Sequence, residues 1–527
     1  MKRILTLVLT FIGLGFSYSQ STYNDVKPAL IENCAACHRE GGGAPFSVLN
    51  YAEASAWKSA IKHELEEGSM PPWAPDTNYM HFVGEREISE EDKNAIIAWV
   101  DAGGLQGDSN QEPESPTYPS SLLNGIPDLV LDMPMITSNA ASSDAYNTVV
   151  FSTGLTSPKK IRAIEVVPEN PELTHHVLVN ADEAGVIQND LTGYSFDVEG
   201  DIVIGTYAPG TNPIIFPNSD EIKLGVTLPA NADMVLQIHT PNYTSSGASL
   251  GEEINIQLKI FFYDDNETGI REVYNFTPLQ YWENDFVIPA GEIKSFQTEI
   301  GLSEFTDYDL SFYSSFPHSH QICSKITNYA FKGTDTIPLI KIDKWDFEHQ
   351  EVYYYKNLLR VPVDYTLKAW HEFDNTADNH HNPFSPPQTI QAGFNSDDEM
   401  LFDGFQVVVA YPGDHLINID SILLADPLMN YDQVITGMNS TTSVPLKNSF
   451  VSPNPVSDFA SIYFVNDNKE GTIDLRVFDM QGRQVELDFE VNTGSVLFYK
   501  SGLSSGMYSY QIVKGGALYT AGTIVVE

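Results

Sequence analysis

Cysteine is nearly absent from this chain, with only Cys34, Cys37 and Cys323 among 527 residues. Two of them stand close together and the third is alone, so no disulfide framework is available and packing must carry the fold. Basic residues are also scarce: 28 Lys and Arg face 71 Asp and Glu, a formal charge of −43. Such a surface repels phosphate backbones and anionic membranes, which are bound by Lys and Arg that neutralise charge, and nucleic acid is not expected as a partner. Beyond the N-terminus no stretch reaches the roughly 18 apolar residues of a membrane-spanning helix, so no transmembrane segment is expected in the mature chain. The acidity is not a sign of disorder, because 42% of the residues are hydrophobic and packed interiors are within reach.

At roughly 100 to 200 residues per domain, the length predicts several domains. Met1-Lys2-Arg3, the apolar run Ile4 to Phe16 and the small residues Ser17 and Ser19 before Gln20 read as an export signal over 1–19. Helical spacing over Asn24 to Cys37 and Ala52 to Glu67, and an approximate capping box at Ser89-Glu90-Glu91-Asp92, predict a small all-α domain over 20–106. Residues 107–124, rich in Asp, Glu, Asn, Ser and Pro, read as a linker. From there short alternating segments such as Lys160 to Val167, Met234 to His239 and Gly404 to Ala410 predict antiparallel sheets, most simply two β-sandwich domains over 125–280 and 281–440 with a seam near 275 to 285. A last small β-sandwich is predicted over 447–527; it holds no His or Cys and carries no sign of metal or nucleophilic chemistry.

Cys34-Ala35-Ala36-Cys37-His38 offers two thiols on one helical face for thioether links to haem and an imidazole for the iron. A redox pair or half of a zinc site is the competing reading, but a thioredoxin-like βαβ pattern and a second Cys pair are both missing. Met70, before Pro71-Pro72-Trp73, is the expected sixth ligand, with His63 and Met80 as weaker competitors. The domain resembles class I-like cytochromes c, on its Cys-x-x-Cys-His, its Met-Pro-Pro-Trp and its final Trp99-Val100-Asp101-Ala102-Gly103. The resemblance implies a covalently attached c-type haem that transfers electrons.

Histidine is distributed in a second pattern. His175-His176 precedes an apolar strand, and because neighbours on a regular strand face opposite ways, both can hold one metal only where the backbone bends. Gln237 and His239 share a strand face, and His318-Ser319-His320 aims two imidazoles the same way. Met400 follows Ser396-Asp397-Asp398-Glu399. Any one of these histidines could be a hydrogen-bonded core group, and Met400 alone reads as core; imidazole with thioether together suits copper that cycles between two oxidation states. The ordered set His-His, Gln-x-His, His-x-His and Asp-Glu-Met resembles the copper type II, ascorbate-dependent monooxygenases, the family of peptidylglycine alpha-hydroxylating and dopamine beta-monooxygenases. The resemblance implies two copper ions: an electron-transferring one on His175, His176 and His239, and one on His318, His320 and Met400 where dioxygen and substrate meet, with Gln237 near the cleft between them. This chain departs from the family where peptide-amidating members have an arginine, at Phe316, and where a tyrosine follows the Met ligand, at Gly404; the family's disulfides are also missing.

The expected activity is hydroxylation of a C–H bond in a small organic or peptide-like substrate by dioxygen. Electrons would come from ascorbate or another external redox donor, or through the fused haem. The alternatives are an exported haem and copper electron-transfer or metal-binding protein without hydroxylase activity, and a surface adhesion or display protein. Ser452-Pro453-Asn454-Pro455, Val477-Phe478-Asp479-Met480-Gln481-Gly482 and Leu503 through Gly506-Met507-Tyr508 resemble the type IX secretion sorting domain. That implies passage through the periplasm on the export and type IX machinery, then secretion or attachment to the outer cell surface.

Overall fold

The computed structural model describes residues 21–429, apart from positions 120, 142, 196–201, 245–246, 282, 284, 348 and 394, and strand segments between 449 and 526. The expected leader at 1–19, and residues 453–455 and 480–482 of the tail motifs, lie outside the described residues. The chain divides into Met1–Gly437 and Met438–Glu527.

Three helices open the first unit, and each starts where a side chain satisfies free backbone N–H groups. Asp25 reaches back to the Thr22 N–H at 2.8 Å before α1, Tyr23–Asn33. Asn50 accepts the Glu53 N–H at 2.9 Å at the start of α2, Tyr51–Glu67, which stops at Gly68 with φ of 71°. Ser89 accepts the Asp92 N–H at 3.0 Å at the start of α3, Glu90–Asp101. Leu30, Ile96 and Trp99 meet in a small core, and the Trp99 indole N–H donates to the Leu105 carbonyl at 3.0 Å. α1 is shorter than its sequence pattern predicts. It ends at Asn33 because Cys34 and Ala35 both donate to the Leu30 carbonyl, at 3.0 and 3.1 Å, which breaks the regular ladder and tucks Ala35 into the core. Cys34 through His38 therefore lie in consecutive turns, not on a helical face.

The stretch expected as a linker packs back on the helices. Glu112 pairs with the buried Lys27 at 2.8 Å, the Ser115 hydroxyl donates to the Leu49 carbonyl at 3.2 Å, and the Arg39 guanidinium lies 4.3 Å over the Tyr118 ring. A stretch rich in Pro and short polar residues is solvated only if nothing nearby offers partners, and here the helices do.

Strands dominate the remainder. One five-stranded sheet orders Asp190–Gly193, Ala145–Ser152, Asp233–Thr240, His176–Asp182 and Ile202–Tyr207. It shares an apolar core, including Val177, Leu236, Ile164 and Leu258, with a second sheet built around Lys159–Pro168 and Ile256–Phe262. A further pair of sheets follows. Tyr274–Tyr281, Leu401–Val409, Leu310–His318 and Tyr353–Val361 form one; Ile293–Gly301, Thr366–Asp374, Cys323–Lys332 and Asp335–Ile342 form the other. The change of sheet pair falls at Val273, slightly before the expected seam, because Tyr274–Tyr281 already pairs with Leu401–Val409. Tyr313, Leu358 and Val408 join the core of the earlier sheets, so the two pairs meet through a continuous apolar contact.

Between α2 and α3 an arm leaves the helical core and lies on the later sheets, with bridges Pro75 to Ile342 and Phe82 to Tyr355. Phe82 is fully buried in their core. The second unit, Met438–Glu527, holds two four-stranded sheets around Ile462, Val477, Phe498 and Ile512. Phe82→Ala should cost about 3–5 kcal/mol, the usual price of emptying a buried aromatic site, measured as a lower urea midpoint, because it removes the peg that docks the helices.

Candidate functional site

The register of Asp233–Thr240 sets His239 opposite His176 on one neighbour and opposite Tyr146 on the other. Cross-strand partners project from the same face, so these rings are brought together by pairing alone. His175 occupies a bend just before the strand, and its N–H donates to the His239 carbonyl at 2.9 Å. That bend meets the condition for two adjacent histidines to turn the same way. One ligand nitrogen from each of His175, His176 and His239 lies within 4.8 Å of the others. The Nδ1 atoms of His176 and His239 are 3.2 Å apart. With metal–nitrogen bonds of about 2.0 Å, that spacing subtends roughly 105° at a shared ion, close to tetrahedral.

The tautomer of His239 is set by Asp144. The Nε2–H donates to Oδ2 at 2.8 Å, which leaves the Nδ1 lone pair facing the cluster. Tyr146 stacks on the other side of the ring at 4.3 Å. Burial works to raise the Asp144 carboxyl, and the hydrogen bonds from His239 and the Asn242 N–H outweigh it and hold it below its ordinary value. Burial pulls His175 down to about 3 and His176 well below its usual range, and neighbouring imidazoles push in the same direction. Phe347 lies 5.8 Å from the His320 ring and 6.5 Å from the Tyr146 ring, so the two histidine sets are linked through one aromatic side chain. Gln237, on the same strand, is buried and donates its amide to the Ser195 carbonyl at 2.8 Å.

His318 ends the strand Leu310–His318, and His320 follows with its ring centre 5.2 Å away. The Gln350 amide donates to the Phe347 carbonyl at 2.8 Å, which turns its oxygen to accept from His318 Nδ1. His320 Nδ1 donates to the Asp398 carbonyl at 3.2 Å. Both rings are thereby left with Nε2 for a ligand, the opposite choice from His239. Met400 is buried, and its backbone is fastened on both sides: its carbonyl accepts the Ser319 hydroxyl at 2.6 Å and its N–H donates to the Glu399 carboxylate at 3.2 Å. The same carboxylate accepts the N–H groups of His320 and Ile322 at 2.9 and 2.7 Å. Burial pushes the Glu399 carboxyl up to about 8 against those bonds. Beneath them Ser319, His371 and Asp403 form a fully buried chain, with contacts of 3.2 and 2.8 Å. Burial also holds His318 at about 4 and His320 at about 3.

In the helical part, Cys37 Sγ donates to the Pro209 carbonyl at 3.3 Å, and a Cβ on Gly210 would meet that sulfur at 2.3 Å, so only glycine permits the approach. His38 Nδ1 faces the Phe46 carbonyl at 3.3 Å, leaving Nε2. Burial pushes the Cys34 thiol up to about 12 and raises Cys37 as well. Met70 follows α2, its N–H directed at the Glu64 carbonyl at 3.5 Å. Of its two competitors, His63 is exposed and Met80 packs against the core of the later sheets. Cys323 is buried away from this helical part, beside Ser319, Glu399 and Asp403, and burial raises its thiol well above the ordinary range.

Sequence reasoning missed Asp144, Gln350, His371 and Asp403, and saw Glu399 in the acidic run and the Asp-Glu-Met motif without a role of its own. None carries a spacing signal, since each meets its partner across long separations.

Residues 451–527 match the Secretion system C-terminal sorting domain. The protein is accordingly exported, and secreted or attached to the cell surface. Among the described residues no helix is long and apolar enough to cross a membrane. No curated protein matches the chain. A solved structure titled "Biofilm associated protein - BSP domain" aligns with 78% of this chain and 83% of its own at 9% identity, but its TM-score of 0.15 carries no argument.

A buried histidine whose folded pKa lies below the ordinary 6.5 binds fewer protons folded than unfolded, so stability rises with pH between the two values. The metal-free protein should therefore lose urea resistance between about pH 6.5 and 4 on this account. His175→Gln with His320→Gln should flatten that decline, and unfolding midpoints at pH 7 and 5 measure it.

Proposed function

We propose that the chain is an exported copper-dependent monooxygenase that hydroxylates a C–H bond, with electrons supplied through a c-type haem in its helical domain. The observation that carries this reading is the pair of imidazole sets, on what we take to be two β-sandwich domains, with ring nitrogens selected in opposite senses. Copper would supply dioxygen activation and one-electron exchange at these residues. Overall, one dioxygen, two electrons and two protons convert a C–H bond to C–OH and water.

His175, His176 and His239 would hold the electron-transferring ion, with Asp144 fixing the His239 lone pair. His318, His320 and Met400 would hold the ion beside substrate, with Gln350, Glu399 and the Ser319 chain keeping the two rings and the Met400 backbone in place. Depressed pKa values keep His175, His176, His318 and His320 neutral, the form a metal requires. Phe316, where the related amidating enzymes carry an arginine, stands 6.3 Å from His318, as does Phe402. Such walls favour an apolar or aromatic substrate over one that presents a carboxylate.

The haem reading rests on donor chemistry. Two thiols and an imidazole stand within five residues, and the sequence holds no second Cys pair that would complete a thiolate metal site. Trp73 Nε1 is buried without a hydrogen-bond partner, and the Arg86 guanidinium lies 5.1 Å over that ring. Both line an open cleft together with Thr206, Asn212 and Glu351. An indole N–H and a guanidinium are suitable donors for haem propionates. A cleft at these donors also suits a second reading: haem and copper electron transfer without hydroxylation.

The test is oxygen uptake by the copper- and haem-loaded protein with small aromatic and aliphatic substrates. His318→Ala and Met400→Ala should each abolish substrate-stimulated uptake and leave the haem spectrum intact. Rapid mixing of reduced protein with dioxygen should show haem oxidation tied to turnover; an inert haem removes its role, and no stimulated uptake by any substrate favours the second reading.

A further inference from the structure

We propose that His349 is a fourth imidazole of the first metal site, delivered by the later β-domain, so that metal held by His175, His176 and His239 is closed by a residue from across the seam. The inference rests on reading that cluster as a metal site.

His349 lies between Asp335–Ile342 and Tyr353–Val361, in a segment with several anchors. The Trp345 indole donates to the His320 carbonyl at 3.1 Å. Phe347 sits 5.8 Å from the His320 ring and 6.5 Å from Tyr146, and so spans the two histidine sets. Gln350 holds His318, Glu351 pairs with Arg86 of the helical part, and the Val352 N–H donates to Thr206 of the earlier sheets at 3.3 Å. Few backbone freedoms remain between these points, and His349 is presented to the first cluster at a set position. Its ring centre is 6.1 Å from that of His175, against 5.8 Å between His175 and His176 within the cluster. With metal–nitrogen bonds of about 2.0 Å and ring centres roughly 1.2 Å farther out, two imidazoles on one ion stand at most about 6.4 Å apart.

The ring is also prepared chemically. His349 Nδ1 contacts Asp346 Oδ2 at 2.9 Å, the same carboxylate–imidazole pairing that Asp144 makes with His239 at 2.8 Å. A carboxylate on one nitrogen orients the ring and strengthens the other as a ligand. His349 is not one of the three residues whose nitrogens lie within 4.8 Å of one another, so ligation requires its ring to move in toward them. Because the same segment holds His318 and Arg86, that approach would join the first site mechanically to the second and to the helical part. Spacing alone offers no sign of this, since His349 is separated from the cluster by more than a hundred residues of chain.

The test titrates metal-free full-length protein with cuprous ion against a competing chelator, for the natural chain and for His349→Ala, Asp346→Asn and His239→Ala. X-ray absorption and, after oxidation, electron paramagnetic resonance count the imidazoles. His349→Ala should weaken first-site binding by about tenfold or more and remove one imidazole from the count, with a smaller loss for Asp346→Asn. Copper binding that His239→Ala abolishes but His349→Ala leaves unchanged in affinity and imidazole count would overturn this inference alone. A natural chain that takes up no copper would overturn it together with the proposed function.

Discussion

The pairing of His176–Asp182 with Asp233–Thr240 is the constraint on which the rest of the site depends. It sets His239 opposite His176, and a slip of one residue would send one ring to the other face of the sheet. The apolar core beneath prevents that slip, since Val177, Val179, Leu236 and Ile238 would lose their buried places with it. Hydrophobic packing thus specifies where the imidazoles stand, although none of those side chains is itself a candidate ligand.

Burial then has two effects on the same residues. It keeps His175, His176, His318 and His320 neutral, and it favours partners for the ring nitrogens and backbone groups near them, because an unsatisfied polar group away from water is costly. Asp144, Gln350 and the Asp398 carbonyl meet that need, and in doing so each chooses which nitrogen is left. Glu399 does the equivalent for backbone, gathering the N–H groups of His320, Ile322 and Met400 on one carboxylate. The polar network is therefore a consequence of desolvation as well as a means of orienting the candidate ligands.

The same logic joins the helical part to the sheets. Phe82 is buried among later strands, Cys37 rests on the 207–212 loop, and Arg86 pairs with Glu351. A stretch that composition marks as a free linker instead lies along the helices, because Lys27 and Arg39 offer partners to Glu112 and Tyr118, and its end at Ser121 to Leu123 meets Glu165 and Met429 of the sheet region. Local composition reports what a segment tolerates, whereas its neighbours determine whether it is solvated.

The three helices, most of the strands and the sorting tail were legible in the sequence, since helical and strand periods and caps are local and depend on nearby residues. So were His175, His176, His239, His318 and His320 as a set, through alternation and adjacency. The end of α1 at Asn33 was not, because Ala35 is drawn into a core that the local pattern does not describe. Nor were Asp144, Gln350, His371, Asp403 and His349, whose partners lie far along the chain. By itself the sequence determined residue types, their faces and the export signal in the tail. The tertiary structure alone decided which faces meet, which ring nitrogen His239, His318 and His320 present and which segment spans the two histidine sets, because those depend on contacts that only a packed, desolvated interior creates.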